Sequence, residues 1–79
     1  MQSKEKVKIG KVIRRLRLER GLSLEEVALH CDEDSNFIRE IEVEKHQDLG
    51  LTTLYLIAKK FDMKLWELFK EIEEDNKVL

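Results

Sequence analysis

Apolar residues recur at intervals of three and four along most of this chain, which is the spacing of one face of an α-helix. Five such segments predict helices at about residues 5–20, 23–31, 34–44, 51–61 and 63–72. The chain has no proline and only three glycines, so it offers few of the turn signals that bound strands. We predict one all-α domain over residues 1–79, with its core at about 7–72 and a charged, frayed tail at 73–79.

Local end signals support these boundaries. Gly21 follows the last apolar position of the first helix, where a left-handed residue usually ends a helix. Ser23 and Glu26 have the spacing of a capping box, and Asp34 is the best N-cap for the third helix. The fourth helix has a weaker stop, because Asp62 stands where glycine would be natural.

Charge is segregated along the chain, although its formal net charge is only −2. Residues 1–22 hold eight bases and two acids, whereas residues 23–49 hold nine acids and two bases. Such asymmetry concerns partners and association more than it concerns the fold.

Several functions are disfavoured by the composition. No apolar run approaches the roughly 18 residues needed to cross a bilayer, so we expect a soluble, cytoplasmic protein without a membrane partner. The lone Cys31 has no partner for a disulfide or a zinc site, and we expect a buried, inert thiol. His30 and His46 have no nucleophile or metal ligand at a useful spacing, so we expect no enzyme activity, metal or cofactor.

An ordered set of short motifs covers residues 9–69: Ile9-Gly10, Ile13-Arg14-x-Leu16-Arg17, Gly21-Leu22-Ser23, Glu25-Glu26-Val27-Ala28, Phe37-Ile38-x-x-Ile41-Glu42, Leu51-x-Thr53-Leu54, Ile57-Ala58 and Leu65-x-Glu67-Leu68-Phe69. No single motif is specific, but together they resemble the XRE family of phage-repressor and Cro-type helix-turn-helix regulators. The resemblance implies a five-helix, lambda-repressor-like domain.

In that family the third helix lies in the major groove and its first side chains meet base edges. The resemblance therefore implies a sequence-specific transcriptional regulator that binds double-stranded DNA as a homodimer on two half-sites. It implies DNA contacts from Ser23, Ser35, Asn36, Arg39, Glu40, Lys45 and His46. Asn36 suits adenine, Arg39 suits guanine and Glu40 suits cytosine. The alternative is that these are ordinary solvated residues of a surface helix.

The resemblance also implies a structural ion pair between Arg17, late in the first helix, and Glu42 in the third. Such a pair would remove one acid from the surface that meets DNA. The alternative is two independent exposed charges.

Four positions depart from the family pattern. Leu24 replaces a glutamine that usually braces a phosphate, so an apolar side chain is expected on the DNA face. Glu33 replaces an apolar residue that usually packs in the turn, which predicts a rearranged or mobile turn. Glu40 and Glu44 place negative charge where phosphate is expected. These departures leave open a protein-interaction module that binds a basic protein partner through its acidic surface.

The dimer surface is weakly determined by the sequence. Trp66, with Tyr55, Val78 and Leu79, is a candidate apolar patch for a second subunit. The alternative is a tryptophan half-buried on its own domain.

Overall fold

The computed structural model describes residues 7–46 and 49–77. Its elements are α1 (Gly10–Glu19), α2 (Leu24–His30), α3 (Ser35–Glu42), α4 (Leu51–Lys60) and α5 (Leu65–Asn76). No strand occurs within the described ranges, and the predicted all-α, five-helix fold is confirmed.

The helices pack around one core. α3 contacts α1 and α2, α4 contacts α2 and α5, and α1 also contacts α5. Among the described residues, the core contains fourteen buried apolar residues: Ile9, Val12, Ile13, Leu16, Val27, Ala28, Cys31, Ile38, Ile41, Ile57, Ala58, Phe61, Leu68 and Ile72. Two of these belong to α3, Ile38 and Ile41, while Asn36 and Arg39 on the same helix are exposed.

α1 begins later than the predicted residue 5, because Val7, Lys8 and Ile9 are not helical. In a longer helix the Lys8 carbonyl would accept a hydrogen bond from the backbone of Val12. Here it accepts from Nδ2 of Asn76 at 2.8 Å, while the Lys8 N–H donates to Asn76 Oδ1 at 2.9 Å. These two hydrogen bonds to α5 thus take the place of the helical turn that was predicted before Gly10.

α5 ends later than predicted. The expected frayed tail began at residue 73, but the helix continues to Asn76, whose Nδ2 also donates to the Ile72 carbonyl at 2.8 Å. Of the predicted tail, residues 78 and 79 lie outside the described part of the chain.

The first four helices end in the same backbone motif. The residue after each C-cap has a positive φ, at Gly21 (64°), Asp32 (59°), Glu44 (66°) and Asp62 (60°). The next residue donates its N–H back to a carbonyl five positions earlier, as Met63 does to Ala58 at 2.8 Å. This is the Schellman arrangement, and three of its four left-handed positions hold an acidic residue that is strained there.

Asp62→Gly should therefore stabilise the protein by about 1 kcal/mol, because glycine adopts a positive φ without a Cβ penalty. Gly21→Ala is the matched control and should destabilise it by a similar amount, although nothing lies within 4 Å of the added Cβ. Urea unfolding of both variants measures the two changes. A loss of stability in Asp62→Gly would contradict the strain assigned to this position.

α1 and α3 approach each other closely at Gly10. A Cβ built on Gly10 would lie 2.4 Å from the Ile41 carbonyl oxygen and 2.5 Å from that of Glu42. The absence of a side chain at Gly10 therefore allows the start of α1 to pack directly on the end of α3.

Candidate nucleic-acid interface

α2, the turn after it and α3 form a continuous helix-turn-helix unit. Ser23 opens it with a capping box: its Oγ accepts from the Glu26 N–H at 3.0 Å, and its own N–H donates to Glu26 Oε1 at 2.7 Å. The hydrogen bonds from the Ser23 backbone and side chain hold the pKa of the Glu26 carboxyl below its usual value. Ser23, predicted to contact DNA, is exposed and caps its own helix.

The turn is regular, so the predicted rearrangement around Glu33 is wrong. The Glu33 N–H donates to the Ala28 carbonyl at 2.9 Å, which closes α2. Asp34 Oδ1 accepts from the Phe37 N–H at 3.0 Å, which opens α3. Glu33 itself is exposed, and Asp32 supplies the left-handed residue, so the turn does not need an apolar side chain.

One face of α3 holds three of the residues predicted to read bases. Asn36 and Arg39 are exposed and Glu40 is half-buried, while Ser35, at the first position of the helix, is half-buried. Nδ2 of Asn36 donates to Glu40 Oε2 at 3.1 Å, and Oδ1 of Asn36 accepts from Nη2 of Arg39. These residues are spaced three and four apart, as neighbours on one helix face must be.

The loop after α3 folds back onto the same face. His46 Nε2 lies 2.9 Å from Glu40 Oε1, and the His46 ring packs against Phe37 with 5.0 Å between ring centroids. Lys45, the other loop residue predicted to contact DNA, is exposed. The sequence grouped His46 with the DNA contacts but gave no signal that it would pair with Glu40.

The structure brings Arg17 and Glu42 together in the interior. Arg17 donates from Nε to Glu42 Oε2 at 2.7 Å and from Nη2 to Oε1 at 3.1 Å. Its Nη1 also donates to the Leu22 carbonyl at 2.8 Å. The two side chains are 8% and 4% exposed, and hydrogen bonding to Glu42 raises the pKa of Arg17. Glu42 therefore presents little charge to a partner.

Glu44 also differs from its predicted role as a charge that repels phosphate. Its Oε2 accepts from the Gly10 N–H at 2.8 Å, so the carboxylate caps the N-terminus of α1. A carboxylate at that end of a helix is stabilised by the helix dipole. Asp34 caps the N-terminus of α3 in a similar way, although it stays exposed like its turn neighbours Asp32 and Glu33. Asp48 lies outside the described residues.

Leu24, whose apolar side chain was predicted to lie on the DNA face, also contributes to the packing of the domain. Leu24 is half-buried and packs against the core, so it helps to anchor α2. Leu18 and Leu29 are exposed, at 53% and 81%. Such isolated exposed leucines are common on protein surfaces.

The bases of α1 are divided between two surfaces. Arg14 is exposed and its Nη1 lies 4.0 Å from Glu42 Oε1, close to the end of α3. Arg15 instead bonds Glu71 of α5 at 3.0 Å, and this hydrogen bond raises the pKa of Arg15. Only part of the basic charge of residues 1–22 is therefore beside α3.

The structure contains an apolar groove of about 380 Å³ away from the helix-turn-helix unit. It is lined by Val7, Ile9, Leu54, Phe69, Ile72 and the end of α5. Neither Trp66 nor Tyr55 lines it, although both are exposed, at 61% and 46%. Val78 and Leu79, the other members of the predicted patch, lie outside the described residues.

Within residues 7–46 and 49–77, no cluster of His, Cys, Asp and Glu is suited to a metal ion. Burial, with a smaller contribution from Glu33, raises the pKa of the Cys31 thiol, so this buried cysteine is a weak nucleophile. None of the described helices is long and apolar enough to cross a membrane.

Comparison with known proteins agrees with the helix-turn-helix unit formed by α2 and α3. The family model described as helix-turn-helix matches residues 13–68. Among solved structures, a tyrosine-to-phenylalanine mutant of the restriction-modification controller protein C.Esp1396I is similar, with 28% identity and a TM-score of 0.80 over 99% of this chain and 98% of that chain. No curated protein matches the sequence. The chain therefore belongs to the XRE family of helix-turn-helix regulators, the family of DNA-binding transcriptional regulators.

Proposed function

We propose that this protein regulates transcription by binding a specific DNA sequence with α3 in the major groove. The observation that carries the proposal is the exposed face of α3, where Asn36, Arg39 and Glu40 lie together. The first turns of a recognition helix are the part that meets base edges. Amide and guanidinium groups are suited to adenine and guanine, respectively.

Three of the acids near α3 are engaged within the fold, so repulsion of DNA phosphates is a weaker objection to this proposal than the sequence suggests. Glu42 is paired inside the protein, and Glu44 and Asp34 cap helices. Part of the acidic surface that motivated a protein-binding alternative is therefore engaged within the fold, while Asp32 and Glu33 remain exposed, and the DNA proposal is favoured. Lys45 and Arg14 are exposed bases close to the end of α3, and we propose them for phosphate contacts.

We further propose that two copies bind DNA as a homodimer. The apolar groove lined by Leu54, Phe69 and Ile72 lies on α4 and α5, away from the exposed face of α3. A second copy that covered this groove would leave both recognition helices exposed. Two such helices read half-sites that are one helical turn, about 34–36 Å, apart.

Selection from a pool of random duplexes tests both proposals. We expect enrichment of one motif with two-fold symmetry and half-sites 10–10.5 base pairs apart. A salt titration on the selected duplex should give a steep loss of affinity, about 0.9 log unit per log of salt for each phosphate contacted. No enriched motif, together with no binding at low salt, would refute the DNA function. A motif without symmetry would refute the homodimer.

The Asn36→Ala variant should weaken binding to the selected duplex by about 1–3 kcal/mol and leave non-specific binding nearly unchanged, because it removes a base contact. Lys45→Ala is the matched control. Loss of a phosphate contact should weaken binding to all DNA sequences similarly, and it should lower the salt slope, the change in log affinity per log of salt concentration, by about 1. Fluorescence anisotropy on selected and scrambled duplexes measures both. An equal loss on all sequences in Asn36→Ala would exclude Asn36 as a base reader.

A further inference from the structure

The polar side chains on the exposed face of α3 form one connected network with His46. Arg39 donates to Oδ1 of Asn36, and Nδ2 of Asn36 donates to Oε2 of Glu40 at 3.1 Å. The other oxygen of Glu40 lies 2.9 Å from Nε2 of His46. Because an ionised carboxylate can only accept, Nε2 of His46 carries the proton in this contact.

His46 joins this network to the interior. Its ring packs against Phe37 with 5.0 Å between centroids, and Phe37 in turn packs against the hydrophobic core. The His46 and Glu40 side chains are only 38% and 33% exposed. An isolated asparagine on a helix surface would sample several rotamers, but Asn36 is connected through these groups to a fixed part of the fold.

The network also distinguishes the two ends of the Asn36 amide. Rotation of the amide by 180° would turn Oδ1 towards the Glu40 carboxylate and Nδ2 towards the Arg39 guanidinium. Both new contacts would be repulsive, because Oδ1 would face another acceptor and Nδ2 would face another donor. The charged partners therefore fix which side of Asn36 donates and which side accepts.

Each end of the amide keeps part of its bonding capacity. An asparagine has two N–H donors and two acceptor lone pairs, and the network uses one of each. One donor and one lone pair remain, on defined sides of an exposed side chain. Adenine presents an acceptor, N7, and a donor, N6, side by side in the major groove.

We propose that His46 is a positioning residue that, through Glu40, fixes the Asn36 amide for a bidentate contact with adenine. The proposal rests on the proposed function, in which α3 reads bases. In this arrangement His46 determines specificity without touching the base.

His46→Ala tests the proposal in binding to two duplexes that differ only at the adenine met by Asn36. Preference for adenine should fall about fivefold or more, while the salt slope on the selected duplex stays unchanged. His46→Gln should restore part of the preference, because its amide can donate to Glu40 but cannot pack as a ring against Phe37. The control is His30→Ala, which removes an exposed histidine of α2 and should change neither quantity.

Two other binding results would overturn the proposal. A uniform loss of affinity on all duplexes, with a salt slope lower by about 0.9, would make His46 a phosphate contact. Tighter binding of His46→Ala to the selected duplex would mean that the network restrains a side chain that DNA must release.

The free protein provides a readout that does not depend on DNA binding. The order parameter of the Asn36 side-chain amide, from NMR relaxation, should be near the rigid value of about 0.85 and fall below about 0.6 in His46→Ala. A mobile amide in the unsubstituted protein would overturn the positioning role. If the amide is rigid but selection finds no DNA motif, the proposed function fails, and the adenine contact fails with it. If the amide is mobile and selection finds a clear motif, only the positioning role of His46 is refuted.

Discussion

Arg17→Met should destabilise the domain by about 3–5 kcal/mol, the cost of leaving a buried charge without its partner. The Glu42 side chain is 4% exposed and receives two hydrogen bonds from Arg17, so its carboxylate would stay buried without these donors. The Leu22 carbonyl also loses its bond from Nη1. A domain of this size has a total stability of roughly 4–12 kcal/mol, so urea unfolding should show a large fall in the midpoint.

Two further variants distinguish an uncompensated charge from a general loss of packing. The double variant Arg17→Met with Glu42→Leu should be more stable than Arg17→Met alone, because no unpaired carboxylate remains buried. The matched control is Arg15→Met, which breaks the 3.0 Å contact with Glu71 between side chains that are 44% and 41% exposed. It should cost no more than about 1 kcal/mol. Equal losses for Arg15→Met and Arg17→Met would contradict the role of burial.

Gly10→Ala should destabilise the protein by about 2–3 kcal/mol, although alanine is the better helix former. The added Cβ would lie 2.4 Å and 2.5 Å from two carbonyl oxygens of α3 and 2.8 Å from the Glu42 carbonyl carbon. These are backbone atoms, so the clash is relieved only by moving one helix away from the other. That movement would also strain the 2.8 Å bond from the Gly10 N–H to Glu44.

Gly50→Ala is the matched control for this substitution. A Cβ at Gly50 would meet nothing within 4 Å, and its φ of −69° suits alanine. We expect the free energy of unfolding to change by no more than about 0.5 kcal/mol. Alanine is a poorer N-cap than glycine, but it also reduces the conformational freedom of the unfolded chain, and the two effects offset each other. Thermal or urea unfolding of both variants makes the comparison. If the two glycine variants were equally stable, the direct packing of α1 on α3 would be refuted.

Residues close together in the chain made the helix-turn-helix predictable. Ser23 and Glu26 predicted the start of α2, and Asp34 predicted the start of α3, because a cap depends on groups only three residues apart. Asp62 was noted as standing in a glycine position, and its φ of 60° confirms this. Helix periodicity likewise predicted the apolar faces, since most of the buried residues lie at intervals of three and four.

Contacts between distant residues caused the errors. The start of α1 was misplaced because Asn76, 68 residues away, bonds the backbone of Lys8. Glu44 was read as a surface charge because its partner, the Gly10 N–H, is 34 residues away. No local pattern contains either partner, so periodicity and capping rules had no access to them.

The sequence by itself determined the five helices and their apolar faces, since these follow from apolar spacing and short-range capping, and its ordered motifs determined the family. Tertiary structure decided what three acidic side chains in and after α3 do. Glu42 is paired in the interior, Glu44 caps α1 and Glu40 joins Asn36 to His46. The physical reason is that a carboxylate has the same formal charge in any sequence, but the charge it presents to DNA depends on which donors the fold brings to it.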